Sequence, residues 1–257
     1  MASERGVALI TGAAGGLGRA IALRLAKDGY DIALTDLPNT DVPAVEAEVK
    51  ALGRRTHVLY ADVRVEQEVE NMIQSVVNAL GSLDVMVANA GIVMVNTILT
   101  LSTEHMKRIL DVNVLGVFHC YKFAAKQMIA QGRGGRIIGA SSLAGKHGYD
   151  FLTAYSTSKF AVRGLTQATA ADLGKHGITV NAYAPGLTET NMSTRSHTQR
   201  WKRPRCSFSM YSDSDLSIAK ASAMRRMGDP DDVANLVSYL CSPGASFITG
   251  TPLFIFR

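Results

Sequence analysis

Cysteine is scarce in this chain: Cys120, Cys206 and Cys241 are the only three in 257 residues, and they lie far apart. An odd, dispersed set with no Cys-x-x-Cys and no Cys/His ligand spacing excludes a disulfide framework and a structural metal site. It reads as the reduced thiols of a cytoplasmic protein. Long hydrophobic runs are missing as well. The most apolar stretch, residues 83–101, is interrupted by Asp84, Asn89, Gly91 and Asn96, whereas a membrane span needs about 20 nearly unbroken apolar residues. The apolar run after Arg5 breaks at Gly12, so no signal peptide is legible, and neither is a lipidation motif; no membrane association is expected. Aromatics are sparse at 7% and charged residues stand at 19%, which with 47% hydrophobic residues excludes a disordered, collagenous or coiled-coil chain.

Acid is absent from one segment in particular. Residues 193–205 hold Arg195, Arg200, Lys202, Arg203 and Arg205 with no Asp or Glu. Without these five, the 27 basic residues become 22 and match the 22 acidic ones, so the net charge of +5 is local. No groove-reading motif or stacking platform accompanies the basic run, and no nucleic-acid partner is expected.

What is present is alternation. Apolar or β-branched runs at 7–11, 31–36, 56–63, 83–88, 136–141, 178–184 and 252–256 are apolar almost throughout, as strands buried on both faces are. Helical periodicity fills the gaps, with Leu17, Ile21 and Leu25 and then Val69, Ile73 and Val77 at four-residue spacing. Further helices are predicted over 42–52, 103–131, 153–174 and 231–241, the last opened by Asp229-Pro230-Asp231-Asp232. The alternation predicts one α/β domain over 1–257, a doubly wound seven-stranded parallel sheet with helices on both faces. A closed barrel would need an eighth strand, and seven are legible.

Thr11-Gly12-Ala13-Ala14-Gly15-Gly16-Leu17-Gly18 follows the first strand and opens the first helix. Glycines there allow a tight turn and let a pyrophosphate approach backbone N–H groups at the positive end of a helix. Asp36 ends the second strand 20 residues after Gly16. A carboxylate at that place accepts both ribose hydroxyls of NAD and repels the 2′-phosphate of NADP; a solvated strand-end Asp is the plainer alternative. Leu37, not Arg, follows it. Asp62 and Val63, after strand three, suit an adenine pocket, and Asn89-Ala90-Gly91 ends strand four on the same sheet edge.

Tyr155 and Lys159 stand four residues apart at the start of a helix, which places both on one face. A free phenol titrates near 10; a neighbouring ammonium favours the phenolate and brings it toward neutrality. Ser142, at the end of strand five, can hydrogen-bond a reacting oxygen. Asn113 is a poor helix former amid apolar residues, and either satisfies a local carbonyl or holds a water that relays protons to Lys159.

Taken together these residues resemble the short-chain dehydrogenase/reductase family over about 5–192 and again over about 224–250. Thr-Gly-x-x-x-Gly-x-Gly stands at 11–18, Asn-Ala-Gly at 89–91, Tyr-x-x-x-Lys at 155–159, and Pro185-Gly186 after strand six. Within the family the chain is most similar to NAD-dependent acetoin/diacetyl reductases. The resemblance implies a Rossmann fold and hydride transfer between NAD(H) and a secondary alcohol or ketone. It implies Tyr155 as general acid/base, Ser142 orienting the substrate oxygen, Lys159 gripping the nicotinamide ribose, and Asn113 anchoring a relay water. Thr188 would hold the carboxamide and Thr190 contact the cofactor, while Leu143, Tyr149 and Leu187 would line the substrate pocket. A homotetramer or dimer is expected.

Two places depart from the family. In the lid region, about 189–225, the family continues into an amphipathic helix, but residues 193–214 are Ser/Arg-rich around Trp201 and read as a mobile or irregular lid. The chain ends in Pro252-Leu-Phe-Ile-Phe-Arg257, where a Val-Asp-Gly-Gly-like tail is expected. These departures leave a second reading open, an NAD-binding protein of low activity with a sensor or structural role.

Overall fold

The structure, a computed structural model, describes residues 5–190 and 224–255. The basic run at 193–205 and the body of the expected lid lie outside the described residues.

Seven strands form one parallel sheet: β1 (Val7–Thr11), β2 (Asp31–Asp36), β3 (Thr56–Tyr60), β4 (Val85–Ala88), β5 (Gly135–Ala140), β6 (Ile178–Pro185) and β7 (Pro252–Ile255). Their order is β3-β2-β1-β4-β5-β6-β7. The chain winds outward from β1 to β3, then returns to the other side of β1 with β4. The crevice at the carboxyl ends of β1 and β4 is therefore the topological switch point, where open α/β sheets bind ligands. Register fixes that edge: Leu9 pairs with Ala33 on one side and with Met86 on the other.

The unbroken apolar runs are explained by two cores. In β1, Val7 and Leu9 enter one core and Ala8 and Ile10 the other, following the two-residue period of a strand. One face packs on α3 (Glu66–Leu80), α5 (Gly116–Gln131) and α6 (Thr153–Leu173), through Ile73, Phe123, Met128 and Val162. The opposite face packs on α1 (Gly16–Lys27), α2 (Val42–Ala51) and the helix Pro230–Cys241, here α7, through Ile21, Leu25, Val45 and Val237. Asp229 caps α7 in a reciprocal capping box with Asp232, as the sequence there predicts.

Two expectations shift by more than a residue or two at an end. The third strand stops at Tyr60 instead of 63, which frees Ala61–Arg64 to turn over the sheet edge. The helix predicted over 103–131 is divided into α4 (Thr103–Leu110) and α5 by a five-residue π-turn, Asp111–Leu115. Such one-residue expansions are frequent at functional sites, and Asn113 sits inside this one.

Candidate active site

The glycine loop connects β1 to α1 in conformations that side chains resist. Gly12 and Gly16 lie at φ +65° and +52°. A Cβ on Gly18 would stand 2.0 Å from the Gly12 carbonyl oxygen, so helix and loop touch backbone to backbone. A Cβ on Gly15 would meet nothing within 4 Å, because Gly15 faces the groove. No side chain caps α1, and its first turn carries no acid. Its orphan N–H groups and dipole are left for an anion at the groove, and these features fit the pyrophosphate of a dinucleotide. Thr190 stands over this point, 3.5 Å from where a Gly16 Cβ would be.

Beneath the loop lies a hydrogen-bond post. The Asn89 amide donates to the carbonyls of Thr11 (2.8 Å) and Gly12 (3.0 Å), while the Thr11 hydroxyl accepts from the backbone N–H of Asn89 and Ala90, each at 3.0 Å. At the end of β2 the Asp36 carboxylate accepts from the N–H of Ala14 at 3.0 Å and of Leu37 at 2.8 Å. It is thereby aimed along the groove with lone pairs to spare. Farther along, Arg64 grips the Asp62 carboxylate through Nε at 2.9 and 3.0 Å and holds it below the usual carboxylate range. Val63 is buried, and its carbonyl accepts from His119 Nδ1 at 2.9 Å.

At the other end of the groove, α6 presents Tyr155 and Lys159. The Lys159 ammonium lies 5.5 Å from the Tyr155 ring centroid and donates to the Ala140 carbonyl at 2.8 Å. It is 3% exposed, and burial alone pushes its pKa down to about 8. Ser142 follows β5 and caps the short turn Leu143–Gly145, accepting from Ala144 N–H at 3.1 Å. Asn113 is fully buried. Its Oδ1 accepts from Ile92 N–H at 2.8 Å, and its Nδ2 donates to the Ile92 carbonyl (2.9 Å) and to Ser158 Oγ (3.0 Å). The space over Gly91 is bordered by Asn113 Oδ1 and Lys159 Nζ, 3.3 and 3.5 Å from the position of a Gly91 Cβ.

A groove of about 420 Å³ joins these parts. Of the residues expected to contact a cofactor, Gly12, Gly15, Gly16, Leu17, Asp36, Asp62, Val63, Asn89, Ala90, Gly91, Tyr155, Lys159, Pro185 and Thr190 line it. Gly18, Gly186 and Thr188 stand outside its lining; Gly186 N–H donates to Ile255 at 2.8 Å, and the Thr188 hydroxyl donates to the Gly186 carbonyl. The expected substrate residues Ser142, Leu143, Tyr149 and Leu187 also lie outside the lining, in the segments flanking the tyrosine end. There Phe151 takes φ +60°, and its carbonyl accepts from Asn96 N–H at 2.8 Å, tying the loop after β4 to the one before α6.

The sequence reading missed Ser141, Ser158 and Tyr183. Ser141 Oγ donates to the Lys159 carbonyl at 3.2 Å, and Ser158 Oγ donates to the Tyr155 carbonyl at 2.7 Å. Tyr183 donates to Asn89 Oδ1 at 2.7 Å. A tyrosine amid the small apolar residues of β6 was the one signal available. Among the described residues no cluster of His, Cys, Asp and Glu could hold a metal, and no helix is long and apolar enough to cross a membrane.

The profile of the short chain dehydrogenase family matches residues 6–201. The chain is 48% identical to a short-chain dehydrogenase/reductase of Armillaria gallica, over 96% of this chain and 93% of the relative. It is 40% identical to the (S)-acetoin-forming diacetyl reductase of Staphylococcus epidermidis, over 95% and 94%. Among solved structures, NAD+-bound xylitol dehydrogenase superposes with a TM-score of 0.91 at 33% identity, covering 98% of both chains. With this sheet order, glycine loop and Tyr155–Lys159 pair, the chain belongs to the short-chain dehydrogenase family of oxidoreductases.

Proposed function

We propose that the chain is an NAD-dependent dehydrogenase that interconverts a secondary alcohol and a ketone, with Tyr155 as general acid/base. The observation that carries this reading is one groove with an uncapped helix N-terminus and Asp36 at one end and, at the other, Tyr155 beside the buried Lys159. Bound NAD would supply the hydride acceptor. Asp36 would receive the ribose hydroxyls and reject a 2′-phosphate by like charge, and Asp62 and Val63 would take the adenine. The α1 N-terminus would hold the pyrophosphate, with Thr188 and Thr190 toward the nicotinamide.

The chain's own chemistry is proton management. Lys159, charged below about pH 8, favours the Tyr155 phenolate, which takes the alcohol proton during oxidation and returns it to the alkoxide during reduction. The Ser142 hydroxyl steadies the same oxygen. Asn113 and Lys159, facing one space over Gly91, give the proton a route away from the tyrosine.

Likeness to the diacetyl reductase supports a small diketone or vicinal hydroxy-ketone as substrate. The apolar side chains of Leu143, Phe151 and Leu152 suit a larger cyclic or terpenoid ketone, so the test spans both. A homotetramer or dimer in the cytoplasm completes the reading; Cys120 and Cys241 are free and buried, as reduced thiols would be.

The experiment is NADH oxidation against diketones, cyclic ketones and terpenoid ketones, with Tyr155→Phe as control. The wild type should turn over at least one class, and Tyr155→Phe should lose about 10²–10⁴-fold while binding NADH unchanged. Tight NADH binding without turnover by either protein would favour the low-activity binding protein. Undiminished turnover by Tyr155→Phe would overturn the assigned acid/base.

A further inference from the structure

Tyr183 is buried near the carboxyl end of β6, paired with Ala140 at the end of β5, and its side chain reaches past β5 to the end of β4. There its hydroxyl meets Asn89 Oδ1 at 2.7 Å, across 94 residues of sequence. Asn89 has both Nδ2 hydrogens committed to the Thr11 and Gly12 carbonyls, so its Oδ1 is the one amide atom still needing a donor. The glycine loop rests on this amide. A Cβ on Gly12 would approach Nδ2 to 2.9 Å, and one on Gly18 to 2.8 Å, so the amide fills the space under both glycines. An apolar side chain at 183 would serve the core equally well; the hydroxyl answers to Asn89. Burial, with Tyr155 nearby, raises the Tyr183 pKa and keeps that hydroxyl protonated, hence a donor.

We propose that Tyr183 is a positioning residue of the dinucleotide groove: by donating to Asn89 it locks the amide that holds the glycine loop in shape for a pyrophosphate. The proposal rests on the reading of this groove as an NAD site. It concerns the phosphate-binding loop and not proton transfer, so its effects fall on affinity and leave the chemistry of Tyr155 alone.

Removing the hydroxyl with Tyr183→Phe keeps the ring and its packing. Calorimetric titration with ADP-ribose, which carries the pyrophosphate, should show a Kd raised roughly 5–10-fold, the loss of one buried neutral hydrogen bond. Adenosine, which reaches the Asp36 and Asp62 end but has no phosphate, should bind as to wild type. Backbone amides 12–16 of the free protein should exchange faster with deuterium. In an Asn89→Ala background the Tyr183→Phe loss should vanish, since the hydroxyl then has nothing to hold. Unchanged ADP-ribose affinity in Tyr183→Phe, equal losses for both ligands, or additive losses in the double variant would each overturn the proposal. A wild type that binds neither ligand would overturn the NAD reading and this proposal with it.

Discussion

Replacing Lys159 by Met should make the free protein more stable at neutral pH while removing its activity, and the gain should reverse in alkali. The reasoning starts from burial. Lys159 is 3% exposed, with a pKa moved from 10.5 to about 8 by desolvation. An unfolded lysine keeps the ordinary value, so below pH 8 the folded protein carries an ammonium that would rather be in water. At 1.36 kcal/mol per pKa unit this costs about 3 kcal/mol. The folded pKa is the lower one, so between about pH 8 and 10.5 the unfolded chain binds more protons than the native state. Stability therefore rises with pH across that window, and the full cost is present below it. Methionine has similar length and no charge. It abolishes the cost but leaves the Ala140 carbonyl without its donor at 2.8 Å, a loss of about 1–2 kcal/mol. At pH 7 the variant should thus be about 1–2 kcal/mol more stable. Above pH 10.5, where the wild-type amine is neutral in both states, it should be less stable by about the same amount. Urea unfolding of both proteins without cofactor, followed by far-ultraviolet circular dichroism at pH 7, 8, 9 and 10, reads the difference directly. Tyr155→Phe in both backgrounds removes the phenol coupled to Lys159, and the remaining groups titrate alike and cancel. A difference that does not change with pH, or a variant already weaker at pH 7, would refute the assignment of the shift to a buried ammonium.

Asp36→Ala should raise the Kd for NADH by about 10–100-fold, the value of charge-assisted hydrogen bonds, and shift the NADH/NADPH ratio toward NADPH because the like charge is gone. Paired fluorescence titrations with the two dinucleotides check this. Gly18→Ala forces a Cβ to within 2.0 Å of the Gly12 carbonyl oxygen, a backbone atom that cannot swing aside. It should cost about 1–3 kcal/mol in thermal or denaturant unfolding and at least tenfold in NADH affinity. Gly15→Ala, whose Cβ meets open space, separates the two effects: its stability should be unchanged while its methyl narrows the groove.

The sheet was legible because burial on both faces leaves a coarse mark. In β1 alternate residues serve two cores, so the run Val7–Thr11 contains no solvent-facing position to blur it. Many of the residues lining the groove were legible for a related reason: they cluster at strand ends, where a switch from apolar residues to Gly, Asp or Asn stands out. The π-turn at Asn113 was not legible. Residues 103–131 satisfy helical periodicity on both sides of it, and inserting one residue into a helix alters hydrogen bonding without altering composition. Ser141 and Ser158 were missed because a serine beside a functional residue carries no periodic signal; its partner, here a carbonyl of α6, is set by tertiary packing. Tyr183 was hidden by the opposite effect, since a tyrosine suits a strand and nothing local reveals that its hydroxyl serves Asn89.

The π-turn shows what this packing is organised around. A regular helix through 111–115 would keep its ladder of hydrogen bonds intact, so the expansion must return something. It places the Asn113 amide in the interior with three of its bonds made, two to the backbone of Ile92 and one to Ser158. Ile92 follows Gly91 at the carboxyl edge of the sheet, and Ser158 donates in turn to the carbonyl of Tyr155. One buried amide therefore ties the sheet edge to the helical turn that carries Tyr155 and Lys159. Apolar residues at 113, 158 and 159 would fill the same volume without desolvating two polar groups and an ammonium, so stability alone does not account for their presence. Their arrangement is explained by the requirement that the phenol and the ammonium keep a fixed place relative to the groove. That is why Asn113, Ser141, Ser158 and Lys159 are buried together where β4 and β5 end against α6.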